Sequence, residues 1–496
     1  MSCRSSRRRK ILRILGPLAA LALLAGQAQA QAPGPATQAC RVEGLPTELQ
    51  CGLLKRPLDP SQPQGQQIEI HYLVLPAMAR NKQPDPVLML AGGPGQSAIN
   101  IAALVLPRFA RLNNRRDLVF IDQRGTGRSA PLDCPDESRL PLAEALDPAA
   151  QLKRLDDCRL ALEKLPHGDL RFYTTEIAMQ DIDAVRQRLG VARWNLVGGS
   201  YGTRAALDYQ RQFPSAVRRL VIDGVAPPDM ALPAAFSTDG QSALEAMFRA
   251  CEGESACRQR FPALRADWDG LLASLPRQVE VLHALSGEPQ RFTLTRSMLL
   301  RGTRLPLYNP ALASALPAAI HQAARGRFQA ISGLAGSMGG GGRAGKLAAG
   351  MHFSVICAED LPRLAAAGDA PGRDFGRSDA EFYQAACKTW PRGAVSAEFY
   401  RVKPAAAPVM VLSGGADPVT PPRHGERVTQ LLGPQAAHVV VPEAGHGVTG
   451  LPCMREVIHR FIDTREDAAA LKGIAAGCAT RIPRPGAYLP IEVTLP

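Results

Sequence analysis

One serine in this chain stands where a strand turns into a helix. The stretch WNLVGGSYGTRAAL, Trp194 to Leu207, sets Ser200 among Gly198, Gly199 and Gly202. The spacing Gly198-x-Ser200-x-Gly202 fits a sharp strand-to-helix turn that presents a hydroxyl at the strand's C-terminal end. The following helix N-terminus favours negative charge developing beside it. Glycine is needed for steric reasons, because the flanking chain comes too close for side chains. A serine nucleophile needs a base, and the base needs an acid to orient it. With this motif they follow in the order serine, acid, histidine. Of nine histidines, His446 in PEAGHGVTG lies in a glycine loop after an expected strand. His424 in PPRHGER begins a helix and reads as a surface residue. His71, His167, His283, His321, His352, His438 and His459 lack such a setting and read as structural. Asp417 in LSGGADPVTPP ends the strand before the one leading to His446, and Asp223 in VIDGV is the rival acid. Acyl transfer also needs N–H donors for the oxyanion. Gly93, in the AGGPG loop at 91–95, and Tyr201, directly after the serine, are the candidates.

These groups converge only if one sheet carries them. Apolar runs at 87–91 (VLMLA), 118–122 (LVFID), 195–198, 220–223, 409–413 and 438–441 lack polar alternation. Such runs suit strands buried on both faces. Residues 68–75 (IEIHYLVL) read as an antiparallel edge strand. A helix is expected at 174–190, with Ile177, Ile182, Val185 and Leu189 on one side and Gly190 as its stop. Strands alternating with helices imply a mostly parallel sheet with helices on both faces. Between about 227 and 404 the alternation breaks into an Ala-, Arg- and Leu-rich stretch, read as a helical lid inserted between late strands.

The chain has 496 residues, 46% hydrophobic and 21% charged, the balance of a globular protein. Its formal charge is +13, but six of those positive charges fall in the first 30 residues, which hold no acid. No basic run recurs later, which argues against a nucleic-acid partner. Residues 1–30 read as an export signal: a basic RSSRRRK, an apolar ILGPLAALALLAG too short to span a membrane, and AQA as a cleavage site. The remainder is expected to be exported, periplasmic or secreted, without a stable membrane anchor. Ten cysteines remain after Cys3, an even number that fits disulfides in an exported protein. Their pairing is not determined by sequence; the simplest guess joins neighbours, 40–51, 134–158, 251–257, 357–387 and 453–478.

The motifs GGPGQS (92–97), DQRGTGRS (122–129), GGSYG (198–202), GGADPVTP and GHG together resemble the prolyl aminopeptidase and tripeptidyl aminopeptidase family of α/β-hydrolase serine peptidases. The resemblance covers roughly 85–225 and 400–455, with CAED (357–360) and LPC after GHG similar to the exported tripeptidyl branch. It departs at Ala91, where relatives often have histidine. It implies an α/β-hydrolase fold, release of one to three residues from peptide N-termini, and Ser200, Asp417 and His446 as nucleophile, acid and base. The expected organisation is a signal at 1–30, core at 31–226, lid at 227–404, and core with a disulfide-pinned tail at 405–496. An aminopeptidase must bind an amine, for which Glu359 and Asp360 are the candidates, while Asp122 and Arg124 read as braces for the turn beside the site. No cofactor or metal is called for, peptides are the expected substrates, and the oligomeric state is left open. An esterase or lipase on the same scaffold is the nearest alternative. A catalytically inactive binding protein is the other. GGGGRAGKL from Gly339 imitates a phosphate loop, but Leu347 occupies the metal-binding Ser/Thr place and no strand precedes it, so it reads as a mobile lid loop.

Overall fold

Apolar runs become strands here because each residue of a buried strand faces one of two hydrophobic layers. In the computed structural model, which describes residues 35–490 apart from 46, 284–285, 338–344 and 475, the main sheet has nine strands. In chain order these are β1 (Gln38–Cys40), β2 (Leu49–Pro57), β3 (Gln67–Leu75), β4 (Val87–Leu90), β5 (Leu118–Ile121), β6 (Trp194–Gly199) and β7 (Val217–Asp223). A separate two-stranded hairpin, β8 (Arg277–Leu282) and β9 (Pro289–Leu294), precedes β10 (Val409–Gly414) and β11 (Ala436–Val441). The spatial order is β1-β2-β3-β5-β4-β6-β7-β10-β11, parallel from β5 to β11 and antiparallel from β1 to β5. The molecule has the α/β-hydrolase fold. Strand β3 is antiparallel but not at the edge. Two further strands, β1 and β2, cover it, and their polar residues hid them from a search for apolar runs.

Along β7, Leu220 and Ile222 enter one core while Val221 enters the other; in β10, Val411 and Met410 divide the same way. Helices Thr175–Arg188 and Tyr201–Gln212 cover the first face, and helices Ala98–Asn113 and Pro452–Asp463 the second. The expected helix at 174–190 starts after Thr174 and gives way at Gly190, whose φ of +67° suits glycine.

Between β7 and β10 the chain builds a mainly helical layer with its own core around Phe248, Trp268, Leu299 and Leu316. The β8–β9 hairpin belongs to it, which a purely helical reading omits. Its Val279, Val281, Phe292 and Leu294 alternate inward at the strand period. Among the described residues five disulfides form, Cys40–Cys51, Cys134–Cys158, Cys251–Cys257, Cys357–Cys387 and Cys453–Cys478. The signal at 1–30 and most of the glycine tract lie outside the described residues. Among the described residues no helix is long and apolar enough to cross a membrane.

Candidate active site

Ser200 follows β6 directly and precedes helix Tyr201–Gln212, with φ +54° and ψ −125°. A non-glycine residue there stores on the order of 1–3 kcal/mol of strain. The surroundings hold it in place. Its N–H donates to the Asp223 carbonyl at 2.9 Å. A Cβ on Gly198 would lie 2.3 Å from the Gly202 carbonyl oxygen, and one on Gly202 would lie 2.2 Å from the Leu90 carbonyl oxygen. Neither position admits a side chain without moving backbone.

His446 lies in the loop after β11, and Asp417 just after β10. The His446 Nδ1 stands 2.8 Å from the Asp417 Oδ2. Asp417 is buried, and its Oδ1 accepts the N–H groups of Val419 and Thr420, each at 2.9 Å. Its Oδ2 also accepts the Thr420 hydroxyl at 2.8 Å. Burial alone would raise the acid's pKa, but the charge and hydrogen bond of His446 and the two N–H groups hold it below the ordinary value. For His446, burial pulls downward, yet Asp417, and to a smaller extent Asp223, hold the imidazole above its ordinary value.

The rival acid does a different job. Asp223 Oδ2 accepts the N–H groups of Val448 and Thr449 at 2.7 and 2.8 Å, so it braces the histidine loop rather than the ring nitrogen. Its neighbour Gly224 lies against the imidazole, where a Cβ would meet the His446 Cε1 at 3.2 Å. The strand end that fixes the Ser200 N–H therefore also touches the imidazole. Two further groups carry no sequence signal of their own. The Thr420 hydroxyl lies 3.1 Å from the His446 Nδ1. The Tyr308 carbonyl accepts the His446 N–H at 2.8 Å, while the Tyr308 ring meets the imidazole edge-on at 5.1 Å between centroids.

The loop after β4 brings its glycines to the serine: a Cβ on Gly92 would lie 3.3 Å from the Ser200 Cβ. Gly93 adopts a φ of +112°, and Tyr201 is the first residue of the helix after Ser200. Asp122 accepts the Ser97 hydroxyl at 2.6 Å and the N–H groups of Ile99 and Arg128, so it ties this loop to the next. Arg124 grips Asp181 through two nitrogens, at 2.7 and 3.0 Å.

Glu359 and Asp360 do not present themselves to an amine. Arg204, four residues after the serine, pairs with Asp360 at 2.8 and 3.1 Å, and the Leu232 N–H takes the same carboxylate. Glu359 accepts the Thr175 N–H at 2.7 Å and its hydroxyl at 3.0 Å, and Thr175 in turn meets the Tyr201 hydroxyl at 2.7 Å. Burial pushes Glu359 up to about 7 against the pull of Arg204. The amine-binding assignment is corrected accordingly: both acids are sealed inside, where charge needs an internal partner, and an arginine of the core supplies it. His424 is likewise no surface residue. It is buried, with its Nε2 2.9 Å from Asp239 of helix Leu232–Gly253.

Residues 85–249 match the family model described as alpha/beta hydrolase fold, and residues 373–470 the one described as TAP-like protein. A tripeptidyl aminopeptidase of Streptomyces coelicolor is 32% identical over 201 residues, which cover 37% of this chain and 36% of that protein. The chain thus spans about a third of that relative's length. Serine protease Hip1 of Mycobacterium tuberculosis is 26% identical over 495 residues, covering 87% of this chain and 92% of that protein. A proline iminopeptidase of Neisseria meningitidis is 29% identical over 160 residues, covering 32% and 37%. The chain carries α/β-hydrolase and TAP-like domains and has relatives named as peptidases.

Proposed function

We propose that this α/β-hydrolase is an exported serine peptidase that removes one to three residues from peptide N-termini through an acyl-enzyme. The observation that carries the reading is a strained, glycine-boxed Ser200 at the same sheet end as a His446 whose Nδ1 faces a buried Asp417. Peptidase-named relatives favour peptides over other acyl substrates. Five disulfides and the basic-then-apolar N-terminal stretch support export.

In this mechanism the Ser200 Oγ attacks the scissile carbonyl carbon while the His446 Nε2 takes its proton. Asp417 holds the Nδ1–H tautomer and stabilises the imidazolium that forms. The carbonyl oxygen becomes an oxyanion, held by the N–H groups of Gly93 and Tyr201. Collapse breaks the C–N bond, and the imidazolium gives its proton to the departing amine. Water then repeats the sequence on the ester: His446 deprotonates it, the acid product leaves, and the Ser200 oxygen recovers its proton.

Mass spectrometry of products from a mixed peptide library tests this, with Ser200→Ala as control. Single residues, dipeptides or tripeptides released from N-termini by the wild type alone are expected. Serine-dependent hydrolysis of p-nitrophenyl esters without any cleavage of peptides or arylamides would turn the reading into an esterase.

A further inference from the structure

We infer that His352, on the inserted layer, is a positioning residue for the oxyanion loop, fixing the Pro94 carbonyl and through it the direction of the loop's N–H groups. The inference rests on the serine-hydrolase reading above. The His352 Nδ1 lies 3.0 Å from the Pro94 carbonyl oxygen. A carbonyl only accepts, so the ring donates there. A neutral imidazole then offers Nε2 as an acceptor, and the Tyr383 hydroxyl, 2.9 Å away, donates to it. Burial lowers the pKa of His352 and so favours the neutral ring that this pair of bonds requires.

The same segment makes a second attachment. The Ala348 N–H donates to the Gly95 carbonyl at 2.9 Å, and Leu347 bridges to Gln96. Two successive carbonyls of the loop are therefore turned toward the inserted layer. The Gly92 carbonyl is tied to the Gln96 N–H at 3.3 Å. In a trans peptide the C=O and N–H point opposite ways, so the Gly93 N–H is aimed away from that turn. With Gly92 packed on Ser200, a shift in the loop would move the donor directly at the reacting centre. Misplacement by about 1 Å costs about a hundredfold in such a site. The clamp is itself braced. His352 lies on helix Ala349–Val355 and Tyr383 on helix Ser378–Ala386, and the Cys357–Cys387 disulfide joins the ends of those two segments.

The test uses the full-length protein with His352→Leu, His352→Asn and Tyr383→Phe, each checked by circular dichroism for an unchanged fold. His352→Leu is expected to lower kcat by roughly 10- to 100-fold with KM within about twofold. It should weaken a peptidyl boronate, which mimics the tetrahedral adduct, by the same factor. His352→Asn, which keeps an N–H near the Nδ1 position, should recover part of both, and Tyr383→Phe should lose less than His352→Leu. Wild-type kcat and boronate affinity in a folded His352→Leu, or a loss carried by KM alone, overturns the proposal. Should the leucine variant not fold, boronate affinity in the other two decides: weakened supports, unchanged overturns. A fluorophosphonate label on wild-type Ser200 separates the two levels. No labelling removes the serine reading and this inference together, whereas a labelled wild type with an unaffected His352→Leu removes this inference alone.

Discussion

Ser200 and His446 stand three strands apart at one end of the sheet and are held by opposite means. The serine is held from close by: glycines two positions to either side let β6 and its helix approach, and the neighbouring strand β7 takes its N–H. The histidine is held from three distant stretches. Asp417 and Thr420 take its ring nitrogen, Gly224 lies against the ring, Asp223 ties down the loop that follows, and Tyr308 accepts its N–H. One side chain is fixed by steric exclusion, the other by convergence of separate pieces of chain. The first arrangement admits no side chain at Gly198 or Gly202, although a Cβ on Gly199 would meet nothing within 4 Å. The second distributes its risk unequally among its parts.

The largest expected effect separates the two aspartates. Asp417→Asn leaves the imidazole facing an amide in place of a carboxylate, and kcat should fall by about 10⁴-fold, the scale for losing the orienting acid of such a triad. Asp223→Asn weakens the brace on the Val448 and Thr449 N–H groups and removes a charge that bears on His446 to a smaller extent than that of Asp417, and kcat should fall by about tenfold. Steady-state rates on an arylamide measure both. Equal losses would mean that the loop brace and the ring partner are a single unit.

Next comes stability. Gly202→Ala forces a methyl against the Leu90 carbonyl and should cost about 1–3 kcal/mol or prevent folding. Gly447→Ala places its methyl 3.8 Å from Asp223, so only its φ of +85° is penalised, about 1 kcal/mol. Denaturant titration compares them. A larger loss at Gly447 would reverse the contrast between the two loops.

The histidine loop also sets the pH response. In the proposed mechanism His446 must be neutral to act, and Asp417 and Asp223 hold its folded pKa above the ordinary value of 6.5 despite burial. Activity should therefore fail on the acid side with a midpoint above 6.5. In the residual activity of Asp417→Asn that midpoint should move to lower pH. Stability from this linkage runs the other way: it is fully present below the unfolded value and lost as pH rises through the folded one. A pH–rate profile with its acid limb below 6.5 in the wild type would contradict the electrostatic picture.

Legibility in the sequence follows the same division. The buried strands were readable because two apolar faces leave no polar alternation, whereas β1 and β2, with Gln50 and Lys55, resemble any exposed segment. Ser200 was readable because steric exclusion demands glycine, which is visible as a letter. The meeting of Asp417 with His446 was legible through the glycine loops and chain order. Tyr308 was not, because what it gives His446 is a backbone carbonyl, and every residue has one. Thr420 and the buried pairing of Arg204 with Asp360 were hidden for a related reason: each depends on which segments the fold brings together, not on local spacing.

Tyr308 supplies the smallest and sharpest comparison. Its carbonyl bond to the His446 N–H survives any side-chain change, so only the edge-on ring contact is at stake. Tyr308→Phe keeps that contact and should leave kcat within about twofold. Tyr308→Ala removes an aromatic pair worth about 0.5–1.5 kcal/mol, a loss of about two- to tenfold. Rates from the two variants, measured beside their melting temperatures, tell which half of the residue matters. A loss near a hundredfold in Tyr308→Ala, at an unchanged melting temperature, would mean that the ring rather than the carbonyl steers the base. The histidine loop would then depend on one side chain as strictly as the serine depends on its glycines.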